Sequence, residues 1–507
     1  MESLSNTASL AYFRPELLLL AGLFGVLAAD LLATARHGRA SGWPSTIALL
    51  ATAAALAATT GVPTVGVAGL LGESQGRWLF ERMLVLDGFA IFFKLLLGFS
   101  LLATVWMSTR SREVAGRPNE GEFYLLLLAS GLALFLMASA GNLLMAYLAL
   151  EFLSLMSYVL TGFLPHNRRS GEAALKYLIY GGVASGAMIY GMSWVFGLTG
   201  TMDYAGIAAK VATLDPASRG AFFLALVLVL SGFGYKISAV PFHMWAPDVY
   251  TGAPIPITAF LAVGSKAAGF AILLRFFHFG VTATGPAAAV TSVPLVPLAA
   301  ILCGLTMTVG NFAALGQTNV KRLLAYSSIA HAGYALLGFV VFAEAGVRSV
   351  LLYLVVYYVM NLGAFWVVML VANATGREDI EAYRGLAWRG GQGPAVLLAL
   401  FLFSLTGLPP LAGFIGKWYV FMAGIDGKLY ALVVIAALNS VVSLYYYARI
   451  VRTMFLDQPR VEDPPLRFGL VDLSPVGLLG VVTVYWGVSF GWLLEKIEAA
   501  GRVFLGS

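Results

Sequence analysis

Apolar positions along this chain do not alternate with polar ones at a helical or strand period; they run on unbroken, as in Leu17-Leu18-Leu19-Leu20 and from Val350 to Val371, where no residue is charged. A helix needs about 20 such residues to cross the hydrocarbon of a bilayer. Cutting at the polar and Gly/Pro-rich links leaves about 14 stretches near that length. They cover 17–35, 46–71, 83–107, 123–140, 143–163, 172–198, 220–242, 255–278, 293–315, 322–343, 347–372, 394–424, 428–455 and 473–495. Lipid offers no partner for backbone N–H and C=O groups, so each stretch is expected to be helical. The pattern predicts an all-α polytopic membrane protein with no soluble domain between spans. The first stretch is longer than the ~7–15 residues of a signal-peptide core. Arg36, His37 and Arg39 follow it, so it reads as a retained helix.

Two spans contain breaks: Val240-Pro241-Phe242 in the seventh and Gly407-Leu408-Pro409-Pro410 in the twelfth. Proline removes a backbone donor and clashes with the preceding turn. The breaks lie five spans apart, each near a lysine, Lys236 and Lys417. That fits two structural repeats, each with a broken helix beside a mid-membrane site. It equally fits two unrelated proline kinks, which membrane helices tolerate; spacing alone leaves both open.

Composition agrees with the pattern. The apolar set makes up 60% and charged residues 11%, against about 25% charged in soluble domains. Mean hydropathy is +0.85. A disordered chain, a secreted disulfide scaffold and a nucleic-acid binder are excluded. The 31 basic and 25 acidic residues give +6, and most of the basic ones, including Arg110, Arg112, Arg117, Arg168, Arg169, Lys321, Arg322, Arg449 and Arg452, fall in links that share one side. By the positive-inside rule both termini then lie outside, periplasmic in a bacterium. The single cysteine, Cys303, excludes an internal disulfide and a thiolate-bound iron–sulfur cluster, so the chain is expected to carry no redox centre.

Five basic residues fall inside spans: Lys94, Lys236, Lys266, Arg275 and Lys417. A charge at the bilayer centre costs roughly 2.5–3.5 kcal/mol, so it persists there when paired, hydrated or needed. Arg275 sits near a span end and is expected to snorkel to the headgroups. Lys94 lies two turns after Asp87 on one face and suggests a structural pair or a transport role. Lys236, Lys266 and Lys417 lie deeper, among Gly, Ser and aromatic neighbours. Glu151 reads as the deepest acid. Three deep lysines against one deep acid favour proton loading and release over static ion pairs. His331, with Ser327 and Ser328 nearby, reads as a hydrated relay and, lacking a second ligand one turn away, not as a metal site. His243 follows the first break and either lines the same path or caps it. Gly416-Lys417 is followed by Trp418 and makes no phosphate loop. Gly182 and Gly186 have the spacing of close helix packing.

The segment Phe233 to Pro254, with Val240-Pro241-Phe242-His243-Met244-Trp245-Ala246-Pro247-Asp248-Val249-Tyr250 at its centre, resembles the signature of the antiporter-like membrane subunits of respiratory complex I, and its ending resembles the N-type branch. Glu172 to Tyr177, Asn319 to His331 and Gly407 to Phe414 match as well. The resemblance implies 14 helices, with three N-terminal helices in 1–120, inverted five-helix repeats in 121–280 and 281–457, and a last helix in 458–507. It implies that Glu151 modulates Lys236, the proton carrier of the seventh helix, that Lys266 connects, and that Lys417 is the terminal lysine. Lys176, in a matching segment, is a further relay candidate. It also implies sister membrane-arm subunits as partners, with flavin, iron–sulfur clusters and quinone held by other subunits. A multi-subunit cation/proton antiporter without redox partners is the alternative, and a purely structural membrane scaffold a third reading.

Overall fold

The computed structural model describes residues 2–37, 42–61, 76–281, 294–461, 463 and 465–505. Thirteen helices among these residues are long and apolar enough to cross a membrane. In chain order the principal helices are α1 (Arg14–His37), α2 (Trp43–Thr60), α3 (Gly88–Arg110), α4 (Glu120–Ser139), α5 (Leu143–Thr161), α6 (Arg168–Thr199), α7 (Tyr204–Ala212), α8 (Arg219–Ile237), α9 (Trp245–Gly252), α10 (Ile255–Phe260) and α11 (Lys266–Arg275). After residues 282–293 come α12 (Leu295–Leu315), α13 (Val320–Val340), α14 (Glu344–Thr375), α15 (Gln392–Thr406), α16 (Ala412–Asp426), α17 (Tyr430–Phe455), α18 (Leu470–Val488) and α19 (Gly491–Leu505). A π-helical turn, Leu261–Ser265, joins α10 to α11, so the two run as one span.

The twelfth stretch expected from sequence is α15 and α16 together: each half is 15 residues, too short to cross alone, and the break between them makes one crossing of two. The third stretch starts later than expected. Leu84–Leu86 forms β3 of a small sheet with β1 (Glu2–Ser3) and β2 (Arg77–Leu79). The helix begins at Gly88, because the Asp87 carboxylate accepts the Ala90 N–H at 2.7 Å and caps it. The last stretch ends earlier, at Val488, and the amphipathic α19, with Leu493, Ile497 and Ala500 buried on one face, is an element the hydropathy pattern did not separate. The second stretch is helical to Thr60; its continuation over 62–71, Arg39 and the residues just after the expected boundary at 280/281 lie outside the described residues.

The protein's centre is made of apolar spans that carry a few polar and charged side chains. The span Ile255–His278 is wholly buried, α13 and α14 nearly so, whereas only 22% of α18 is. Outward-facing Phe24, Val183, Leu438 and Leu478 are exposed, as expected where lipid is the solvent. α8 packs along α6, and α12 along α13.

A structural motif recurs. Asn142 caps α5 through the Met145 N–H and bridges to Asp203 just beyond α6; Asn319 caps α13 through the Arg322 N–H and bridges to Asp379 just beyond α14. α6 and α14 are each 32 residues long and each ends on a left-handed glycine, Gly200 or Gly376.

Candidate functional site

Both broken helices free backbone groups in the membrane interior, and side chains take them up. After α8 the chain turns through Ser238 at φ 61°, and the Val240 N–H donates to Thr306 Oγ1 on α12 at 3.0 Å. After α15 it turns through Gly407 at φ 93°, and the Gly413 N–H donates to Ser404 Oγ at 3.0 Å. A Cβ at Gly407 would come within 2.9 Å of Lys417 Cδ, so glycine there serves both the left-handed backbone and the passage of the lysine.

Lys236, Lys266 and Lys417 are 1%, 2% and 4% exposed, and none of them has a carboxylate within ion-pair distance among the described residues. Lys236, on the last turn of α8, donates to Ser154 Oγ on α5 at 3.1 Å. Glu151, one turn before Ser154 and half-buried, acts on Lys236 through space and lies by Ser185. Gly269, one turn beyond Lys266, leaves room for the stem of Lys236: a Cβ there would stand 3.2 Å from its Cγ.

Lys266 donates to both the carbonyl and the hydroxyl of Ser328 on α13, each at 2.6 Å. Tyr357 of α14 donates to the same hydroxyl at 2.9 Å, and Tyr250 of α9 lies 3.4 Å from it. One turn along α13, His331 is 3% exposed, with Nδ1 2.6 Å from the Tyr353 hydroxyl and Nε2 3.5 Å from that of Tyr447. Lys266 and Lys417 both act on its ring electrostatically. Lys417, on the far side of its break, returns to the end of α15: Nζ donates to the Thr406 carbonyl at 2.8 Å and to Ser440 Oγ on α17 at 3.1 Å. Hydroxyls, tyrosines and one imidazole thus run from the Lys266 amine to the Lys417 amine.

The other expected members lie apart. Lys176 joins Glu172, Asp248 and Arg322 in a partly exposed ion-pair network at the basic face. His243 is half-buried in the first break itself, with its backbone carbonyl accepting from Ala246. Beside that network opens a polar cavity of about 710 Å³, lined by Arg112, Arg169, Asn319, Lys321 and Glu378 among others. Lys321 is buried and donates to Glu378 at 2.9 Å and to the Ala253 carbonyl at 2.8 Å. Ser328 lies two turns along the same face of α13.

Two expectations are corrected. Arg275 does not snorkel: it is buried and donates twice to Asp87, at 2.7 and 3.0 Å, and to the Ala138 carbonyl at 3.3 Å. Lys94 does not pair with Asp87 but with Glu16 of α1, at 2.6 Å. Glu151 stands midway along α5 and is partly buried, whereas Glu16 in the first turn of α1 and Asp87 at the cap of α3 are fully buried nearer their helix ends. Of the residues that partner the lysines, Ser154, Ser440 and Thr406 escaped the sequence reading, and Ser328 was noted beside His331 rather than as the acceptor of Lys266. Ser154 carried a signal, standing one turn from Glu151 on the same face.

A profile of the family described as NADH:quinone oxidoreductase/Mrp antiporter, transmembrane, matches residues 140–443, which hold both breaks and all four charged positions. The chain belongs to this family of membrane ion-translocation subunits. Within it the chain is 45% identical to the NADH-quinone oxidoreductase subunit N of Anaeromyxobacter sp. (strain Fw109-5), over 99% of this chain and 98% of that one. It is 46% identical to subunit N 2 of Sorangium cellulosum (strain So ce56), over 98% and 99%. A chain of respiratory complex I from Thermus thermophilus superposes with a TM-score of 0.75 at 32% identity, covering 95% of this chain and 99% of that chain. A chain of the Mrp complex from Dietzia sp. DQ12-45-1b shares the fold, with a TM-score of 0.81, 21% identity and 98% coverage of each.

Proposed function

We propose that this chain is the proton-translocating membrane-arm subunit N of an NADH-quinone oxidoreductase, moving protons while other subunits carry the flavin, iron–sulfur clusters and quinone. The observation that carries this reading is a set of three buried lysines whose amines meet neutral hydroxyls and carbonyls rather than carboxylates. A buried ammonium locked in an ion pair holds its proton; one met by neutral dipoles releases and regains it as its surroundings change. Glu151 supplies the adjustable charge. Moving one charge across the membrane costs about 2.3 kcal/mol per 100 mV, or roughly 1.7 pKa units. Gaining or losing an opposite charge within reach changes proton affinity by one to three units. Redox chemistry elsewhere in the complex shifts the field at Glu151, changes its hold on Lys236, and drives charge through Lys266 and His331 to Lys417.

The cavity at the basic face, with Lys321 and Glu378 at its floor, supports proton uptake from the cytoplasm toward Ser328. The recurring asparagine–aspartate bridges support two repeats, over 121–280 and 281–457, with Lys236 and Lys417 at their breaks. The membrane is the bacterial inner membrane, both termini are periplasmic, and sister antiporter-like subunits flank the chain. His243 and Lys176 are assigned to the water path at the basic side. The alternative of a cation/proton antiporter without redox partners rests on the family profile, which spans both kinds of subunit, and on the shared fold at 21% identity, and is the weaker reading.

Glu151→Gln, Lys236→Ala and Lys417→Ala, each in the assembled complex, are expected to lower coupled quinone reduction and proton pumping with assembly retained. Normal proton pumping by Lys236→Ala would overturn the proposal.

A further inference from the structure

Lys417 differs from an amine dissolved in hydroxyls in one respect: its Nζ stands over the ring of Tyr334, 4.3 Å from the centroid. Tyr334 is fully buried on α13, one turn beyond His331, whose ring lies 5.7 Å away. A cation over an aromatic face is attracted by the ring quadrupole, most strongly where water is excluded.

The ring is held at its hydroxyl end. Its hydroxyl accepts from Ser440 Oγ at 3.3 Å, the same hydroxyl group that receives the Lys417 amine, and from Asn311 Nδ2 at 3.4 Å. Asn311, fully buried on α12, is itself fixed: Nδ2 also donates to the Met307 carbonyl at 2.9 Å and contacts Asn439 Oδ1 at 3.3 Å, while Oδ1 accepts from the Tyr446 hydroxyl at 3.0 Å. Next to Tyr334 in sequence, Gly333 brings α13 against α12 so closely that a Cβ would stand 2.6 Å from Met307 N. That contact sets the height of Tyr334 relative to Asn311. These contacts tie the Tyr334 hydroxyl to α12 and α17, and the geometry they fix aims a ring face at the amine.

We propose that Tyr334 is a positioning residue for Lys417: its ring face takes the place of a counter-ion, stabilising the loaded ammonium without the permanent hold of a carboxylate, and Asn311 and Ser440 keep the ring in place. This rests on the reading of Lys417 as a proton carrier. A carboxylate here would retain the proton; bare hydrocarbon would refuse it. The ring gives an intermediate attraction, suited to a group that must both load and unload.

The test uses the intact oxidoreductase in native membranes, with position 334 carrying Phe or Phe with one, two or three ring fluorines by genetic-code expansion. Fluorine withdraws the ring's negative face at nearly constant volume. Proton pumping per quinone reduced and coupled turnover are the readouts, with assembly checked on native gels. Tyr334→Phe keeps the face but gives up the hydroxyl contacts to Asn311 and Ser440; with the close packing of α13 on α12 at Gly333 still holding the ring, it is expected to retain at least half of the pumping rate and is the reference for the series. Added fluorines are expected to lower it in steps, reaching roughly tenfold at three. Tyr334→Leu should match the trifluoro variant; if Leu fails to assemble, the fluorine series stands by itself. A flat series, or equal loss in Phe and every fluorinated form, would overturn the inference. Lys417→Ala is the control: its impairment alongside a flat series sinks only the role of Tyr334, whereas normal pumping by Lys417→Ala sinks the carrier reading beneath it.

Discussion

Lys266 spends two donors on one residue, the carbonyl and the hydroxyl of Ser328. Lys94 and Arg275 direct theirs to carboxylates, and under the proposed function this contrast distinguishes carriers from structural pairs at single residues. Removing one partner of a fully buried ion pair costs about 3–5 kcal/mol, because the other charge stays behind in low dielectric. Asp87→Asn strands Arg275 while leaving a side-chain oxygen to cap α3. It is expected to abolish or sharply reduce assembled subunit on native gels. Ser328→Ala removes one neutral acceptor, and the carbonyl of the same residue still receives the amine. Assembly is expected to persist while coupled turnover falls roughly tenfold or more, in line with a hydrogen bond to a charged group of about 1.5–3 kcal/mol. Equal assembly in both variants would erase the distinction. The charged positions themselves were legible in the sequence, since a lysine inside an apolar run announces itself. The pairing was not: Asp87 and Arg275 lie 188 positions apart, and helical spacing suggested Lys94 as the local partner instead.

At the scale of elements, the two breaks use different residues for the same left-handed turn. Ser238 adopts φ 61° with its hydroxyl buried, and Gly407 adopts φ 93° beneath the Lys417 stem. A left-handed conformation costs a residue bearing a Cβ roughly 1–2 kcal/mol, and glycine nothing of the kind. Ser238→Gly is therefore expected to raise thermal stability of the solubilised complex slightly, by up to about 1 kcal/mol. Gly407→Ala is expected to lower it by at least that strain, because the new methyl also meets Lys417 Cδ. Thermal shift of detergent-extracted complex measures both, and stabilisation by Gly407→Ala would contradict the role given to that turn. The existence of both breaks could be read from proline alone. Their geometry could not, because the groups that satisfy them, Thr306 for Val240 and Ser404 for Gly413, come from another helix and from the preceding half-helix. Hydropathy likewise found the spans but merged α18 with the start of α19, since a windowed average does not see a turn of two or three residues.

For the whole molecule, every inference about direction depends on which face meets the cytoplasm. The links that carry Arg112, Arg169, Lys321 and Arg377 converge around one polar cavity, and the N-terminal strand lies at the opposite end of the first helix. On the orientation proposed above, in which positive charge is retained on the cytoplasmic side during insertion, the cavity faces the cytoplasm and the strand lies outside. The lone cysteine makes this measurable, because Cys303 is fully buried in α12 and gives no background to a water-soluble thiol reagent. Ser5 and Gln458 are both exposed, the first before α1 and the second in the link after α17. Ser5→Cys is expected to react with a membrane-impermeant maleimide in intact spheroplasts. Gln458→Cys should react only in inverted vesicles. The reverse pattern would turn the cavity into a release vestibule and require the proton to travel from Ser328 outward through Lys321. That would reverse the order of steps proposed along the axis, while leaving Lys236, Lys266 and Lys417 as its carriers.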